Sequence, residues 1–106
     1  MKTKTLDELE ELTICWAKAR RIIPNATAQS QLLKAVSEMG ELADAVNKGQ
    51  QAEMRDAIGD VVVCLINLCA LEGLSLIHSL SGAWNEIKDR KGTLLPNGCF
   101  VKDEHK

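Results

Sequence analysis

The chain is 106 residues long, 45% apolar and 26% charged, with 7 Gly and 2 Pro; this is the composition of one soluble globular domain and argues against a disordered, collagen-like or multidomain chain. Thirteen basic against fifteen acidic side chains leave a formal charge of −2, so no electrostatic surplus points to a nucleic-acid duplex or an anionic membrane as partner. Leu (14) and Ala (11) dominate the apolar residues, Tyr is absent, and the aromatics are Trp16, Trp84 and Phe100, a balance that favours helix over strand. So short a chain buries a thin core, which makes homo-oligomerisation an expectation.

In chain order, Thr5-Leu6-Asp7-Glu8 has the spacing of a capping box and opens a predicted helix over about residues 6–22. Leu6, Leu9, Leu12, Cys15 or Trp16, Ala19 and Ile22 or Ile23 form its apolar stripe, and Pro24-Asn25 ends it. Thr27 caps a second predicted helix over 28–48, closed by Gly49. Gln50 begins a third that runs to Leu71 and stops at Gly73, and Ser75 caps a fourth over 76–91, stopped by Gly92. Pro96-Asn97-Gly98, lying between Leu94-Leu95 and Cys99-Phe100-Val101, predicts a short C-terminal hairpin or extended arm. Turns this short predict a single all-α domain over 1–106, an antiparallel four-helix bundle.

Cys15, Cys64, Cys69 and Cys99 are too widely spaced for Cys-x-x-Cys zinc pairs, and Met-Lys-Thr-Lys-Thr lacks the apolar run of a secretory signal. Reduced thiols and a cytoplasmic location are expected, with Cys64 and Cys69 as small buried apolar residues. The longest apolar stretch, Val61 to Leu71 with Asn67 inside, is about half of the ~20 residues that cross a bilayer. It reads as a buried core helix.

Chemistry concentrates in Ser37-Glu38-Met39-Gly40-Glu41-Leu42 and Asp56-Ala57-Ile58-Gly59-Asp60-Val61. Glu38 and Glu41, three apart, share one helix face at the margin of an apolar arc of Leu32, Val36, Met39, Ala43 and Val46, so they are expected to border the core. At 100° per residue, Glu53, Asp56, Asp60 and Asn67 fall on one narrow stripe of the third helix. Asp60 leads into an apolar run and is expected to need a cation, because an unpaired buried charge costs several kcal/mol. If the second and third helices pack side by side, Glu38, Glu41, Asp56 and Asp60 face one cleft, where repulsion raises their pKa values unless a divalent ion sits among them. Oxygen ligands suit Mg²⁺ or Mn²⁺. Gly40 and Gly59 each cost about 1 kcal/mol inside a helix, for which close backbone approach beside the acids is the expected compensation. The ordinary alternative for such acids is a solvated charged face.

The blocks Glu38-Met39-Gly40-Glu41-Leu42-Ala43-Asp44-Ala45 and Ile58-Gly59-Asp60-Val61, followed by Asn85-Glu86-Ile87-Lys88-Asp89-Arg90-Lys91-Gly92, resemble the MazG-like all-α nucleoside triphosphate pyrophosphohydrolases over residues 10–102. The resemblance implies a helical bundle assembled into a homodimer or homotetramer. It also implies hydrolysis of (deoxy)nucleoside triphosphates between the α and β phosphates, a house-cleaning of the nucleotide pool. Carried over by position, it makes Glu38, Glu41 and Asp60 Mg²⁺ ligands, and Asn85 and Lys88, with Arg90 or Lys91, contacts to the phosphates. Two departures stand out: Ser37 replaces the first of two adjacent acids, and Ala57 stands where the family usually has Glu. Asp56, one residue earlier, is the candidate substitute.

A triphosphate carries about four negative charges, so its site needs metal to screen them and cations to hold the leaving pyrophosphate. Lys88, Arg90 and Lys91 with Asn85 offer such a cluster, although basic residues at a helix C-terminus also pair with the helix dipole. Glu38 and Glu41 are the candidates for general base. Trp16 either stacks on a nucleobase or belongs to the core, and Trp84 is equally ambiguous. His78 reads as surface or interface and His105 as part of a polar tail. A non-catalytic reading competes: a helical oligomerisation or nucleotide-sensing module that lost metal ligation at Ala57.

Overall fold

In the computed structural model, which describes residues 3–103, the elements in order are α1 (Leu6–Ala19), α2 (Ile22–Asn25), α3 (Ala28–Lys48), α4 (Gln51–Leu71), α5 (Leu76–Ile87), β1 (Gly92–Leu94) and β2 (Phe100–Lys102). The chain is all-α in class, 71% helical; His105 lies outside the described residues.

Local chemistry explains most helix ends. Thr5 Oγ1 accepts from Glu8 N at 3.2 Å and Glu8 Oε1 accepts from Thr5 N at 2.9 Å, closing the capping box of α1. Thr27 and Ser30 do the same for α3 at 3.1 and 3.2 Å. At the α3 C-terminus Gly49 turns left-handed (φ 67°) and Gln50 N donates to Ala45 O at 2.9 Å, so the chain reverses into α4 within two residues. Gly73 (φ 69°), with Leu74 N donating to Cys69 O at 2.7 Å, ends α4 in the same way.

The first predicted helix is interrupted. Arg21 takes a left-handed backbone (φ 64°), so the helix breaks after Ala19 and resumes as the short α2, which contains the Pro24-Asn25 expected to stop it. The fourth predicted helix is shorter than expected: α5 ends at Ile87 with Lys88 as its C-cap. Arg90 and Lys91 therefore lie beyond it, on the link to the hairpin. Of the hairpin and extended arm that the turn signal allowed, the hairpin forms, pairing Gly92 with Lys102, Thr93 with Val101 and Leu94 with Phe100. Gly92 is obligatory there, because a Cβ would sit 2.6 Å from the Phe100 ring and collide with the Val101 carbonyl.

α3 and α4 form a long antiparallel hairpin that is the spine of the fold, with α1 and α2 packed on α4. Its short turn sets the rotation of α3 so that Ala45 faces α4. Stepping back by three and four residues reaches Leu42, Glu38, Ala35 and Gln31, the buried and half-buried face. The arc of Leu32, Val36, Met39, Ala43 and Val46 therefore points outward, contrary to expectation; Val36 is 59% exposed. On α4 every residue from Val61 to Leu71 is buried or half-buried, as the apolar run predicts. Cys64 and Cys69 are buried and Cys15 and Cys99 exposed, all four with free thiols.

The single chain does not close into the expected four-helix bundle. α5 leaves α4 at 102°, touches α1 and α4 but not α3, and has no buried residue. Its start is pinned by Glu10 of α1, whose carboxylate accepts from Ser75 Oγ at 3.3 Å and from Ile77 N at 3.2 Å, a charged cap on the positive end of the helix. No single helix among the described residues is long and apolar enough to cross a membrane.

Candidate active site

Glu41 and Asp44 are three apart on α3, and Glu53, Asp56 and Asp60 are spaced by three and four on α4. Those spacings bring all five carboxylates onto the walls of one cleft of about 420 Å³ between the two helices, which Ala45 and Ala57 also line. Both alanines are buried, and the longer acids flank them. Asp44 has no role assigned from the sequence, although it lies one turn beyond Glu41 on the same face.

Glu38 lies deeper. Its side chain is 13% exposed, Oε1 is 3.9 Å from Lys34 Nζ, and Oε2 is buried with no hydrogen-bond partner. The neighbouring Glu41 carboxylate, a ready acceptor for a Glu38 proton, pushes the Glu38 carboxyl above its ordinary value; burial adds to this, as does repulsion from Glu41 and Asp60, while Lys34 opposes it. A carboxyl whose folded pKa is raised holds its proton more tightly folded than unfolded. Stability is therefore gained at low pH and lost as pH rises from the ordinary value of 4.5 through the raised one. Accordingly, the melting temperature of the metal-free protein should fall across that window, and Glu38→Gln, which keeps the shape of the side chain but cannot titrate, should flatten the fall. A profile identical in wild type and Glu38→Gln would assign the pH dependence to other groups.

Lys34–Glu38 is the one ion pair among the described residues. Asp60 has no cation, contrary to expectation; it is exposed at the rim of both this cleft and a second one, so water solvates it without a salt bridge. Gly40 and Gly59 do not mark close backbone approach either, since a Cβ on each would meet nothing within 4 Å. Asn67, placed on the acidic stripe by periodicity, is instead 2% exposed, its Oδ1 without a partner. Burial pushes the Cys64 thiol up, and nearby Glu38 and Asp60 push it further against the pull of Lys34. It stays protonated and makes a poor nucleophile.

The second cleft, about 440 Å³, is mostly apolar and lies between α1 and α4, walled by Leu9, Leu12, Thr13, Trp16, Val63 and Asp60. Trp16 is 44% exposed, outside the closed core. The Arg20 guanidinium covers its ring at 4.7 Å from the centroid without lining the cleft.

Glu41, Asp56 and Asp60 are thus brought together with Glu38 beside them, and Trp16 shares Asp60 with them through the second cleft. Asn85, Lys88, Arg90 and Lys91 line neither cleft. Sequence could not show this, because the 102° turn of α5 separates its C-terminal end from α3. The acids ring the cleft without converging: among the described residues no three His, Cys, Asp or Glu side chains are gathered to hold a metal ion.

The fold and site thus define an all-α chain with a carboxylate-lined cleft between two antiparallel helices. The family model of the MazG nucleotide pyrophosphohydrolase domain matches residues 26–94, and the chain belongs to that family. A Haemophilus phage HP1 (strain HP1c1) protein, an uncharacterized 18.2 kDa product of the rep-hol intergenic region, is 36% identical over 53 residues, half of this chain. The match spans 32% of that relative's length. In fold the chain is similar to the cyanophage S-2L MazG-like pyrophosphohydrolase, a structure bound to dGDP and three catalytic Mn²⁺ ions per active site, with a TM-score of 0.72 at 18% identity over 97% of each chain.

Proposed function

We propose that the protein hydrolyses (deoxy)nucleoside triphosphates between the α and β phosphates with Mg²⁺ or Mn²⁺, giving the monophosphate and pyrophosphate. The observation that carries this is the unneutralised cleft: five carboxylates on its walls with the Glu38 Oε2 atom buried and unpartnered beside them. The oxygen-only chemistry and negative charge of these side chains suit divalent cations once the acids draw together, and repel a bare polyphosphate. Family membership and the Mn²⁺ and dGDP of the S-2L relative support the same reading.

Glu38, Glu41, Asp56 and Asp60 would hold the ions. When bound, these screen the phosphate charge and lower the pKa of water. Water's oxygen forms a bond to phosphorus, the bridging bond between the α and β phosphates breaks, and pyrophosphate leaves with its electron pair. Glu38 or Glu41 takes the water's proton; the raised affinity of Glu38 for a proton suits it to that task. Trp16 offers the base a flat apolar surface. The deciding experiment incubates the protein with a panel of nucleoside triphosphates and Mg²⁺ and scores pyrophosphate. Absence of turnover across the panel would favour a nucleotide-sensing or oligomerisation module, a reading supported by Ala57 at the position of the family's acid.

Asn85, Lys88 and Arg90 or Lys91 serve as phosphate contacts from a second copy. A homodimer or homotetramer is supported by the outward apolar side chains, among them Leu33, 69% exposed on α3, and Trp84, 58% exposed on α5, which an assembly of copies would cover. Light scattering is expected to give a mass of at least two chains; a species of 11.6 kDa at micromolar concentration would contradict it. In a mixed assembly, Glu41→Gln and Lys88→Ala chains should complement one another, since each supplies the half-site the other lacks.

A further inference from the structure

Asp60 lines both clefts. The two clefts therefore adjoin there, and a ligand whose anionic end is held among the acids can reach past Asp60 into the apolar cleft of α1. The apolar walls and the Trp16 indole suit a flat heterocycle, and about 440 Å³ accommodates one with space to spare. Apart from Asp60, which is committed to the charged side, Thr13 carries the only side-chain hydrogen-bonding group on these walls other than the indole N–H.

From this placement we infer that Thr13 is the specificity-determining residue of the site, its hydroxyl reading the polar edge of the nucleobase that lies against Trp16. This rests on the nucleotide reading above. Thr13 sits in the middle of α1, away from the capping work that Thr5 and Thr27 perform, so no local role explains a hydroxyl here. A half-exposed Leu, Ile or Val would serve the apolar stripe better. One hydroxyl that both donates and accepts gives a modest preference: a single neutral hydrogen bond separates the favoured base from the others by about three- to tenfold. The contact is absent from the reacting phosphates, so losing it raises KM and leaves kcat nearly unchanged.

The test uses the whole protein with Trp84→Phe, which leaves Trp16 as its one indole, and follows quenching of Trp16 fluorescence by the four 2′-deoxynucleosides. These carry no phosphate and require no metal. One deoxynucleoside should bind at least about threefold tighter than the weakest. Thr13→Val, close in shape but without the hydroxyl, should bring all four within about twofold, and Thr13→Ser should restore the ranking. An unchanged ranking in Thr13→Val, or no quenching by any nucleoside, overturns the inference. The panel of triphosphates keeps the two readings separate. Turnover with a preference indifferent to Thr13→Val sinks this inference alone; Thr13-dependent nucleoside binding without turnover sinks the hydrolysis reading alone.

Discussion

Glu41→Gln is expected to lower pyrophosphate release by at least about 100-fold while leaving the fold intact. The substitution removes one charge and almost no volume from a side chain on the cleft wall, and loss of a group that stabilises transition-state charge is worth about 10²–10³ in rate. Stability should not suffer, because Glu41 raises the Glu38 pKa partly by repulsion, and deleting one member of a repelling pair relieves strain. Asp60→Asn is expected to give the same loss with a second signature. Mg²⁺ or Mn²⁺ should raise the melting temperature of the wild type, since an ion that binds only the folded cluster stabilises it by mass action, and Asp60→Asn should erase the rise. Circular dichroism and thermal melts with and without metal check both. Activity within about twofold of wild type would remove Glu41 from the site, and an undiminished melting shift in Asp60→Asn would place the ion elsewhere.

The second large effect concerns Ala57, the position where the resemblance leads one to expect an acid. Asp56 and Ala57 both border the cleft, but Ala57 is 4% exposed against the neighbouring helix whereas Asp56 is exposed. Asp56 has the free reach to serve as the missing ligand, so Asp56→Asn should cost about 100-fold in turnover. Ala57→Glu would force a long charged side chain into the α3–α4 seam, and overpacking of that kind costs about 1–3 kcal/mol. It should lower the melting temperature and fail to raise activity. Steady-state kinetics and melts of the two variants decide the matter. A tenfold gain from Ala57→Glu together with a silent Asp56→Asn would mean that the natural site is incomplete, favouring the non-catalytic reading.

What sequence alone determined follows from interactions that close within a few residues. The capping boxes at Thr5 and Thr27, the glycine stops at Gly49 and Gly73 and the Pro96-Asn97-Gly98 turn are local events, so α3, α4 and the hairpin stand where spacing put them. The grouping of Glu41, Asp56 and Asp60 was legible for the same reason, because helical periodicity and one tight turn between two helices leave little freedom. Tertiary structure decided whatever depended on the rotation or direction of an element against its neighbours. The Gly49 turn rotates α3 so that Ala35, Glu38 and Ala45 take the seam and the bulkier Leu32-Val36-Met39 arc faces outward; apolar periodicity marks a face but not the partner it meets. The Glu10 cap on Ser75 and Ile77 and the 102° turn carry α5 and the basic residues after it away from the acids, a separation no spacing along the chain encodes. Likewise the second cleft joins Thr13 and Trp16 to Asp60 and Val63 across more than forty residues of sequence, and only the packing of α1 on α4 could bring them to one wall.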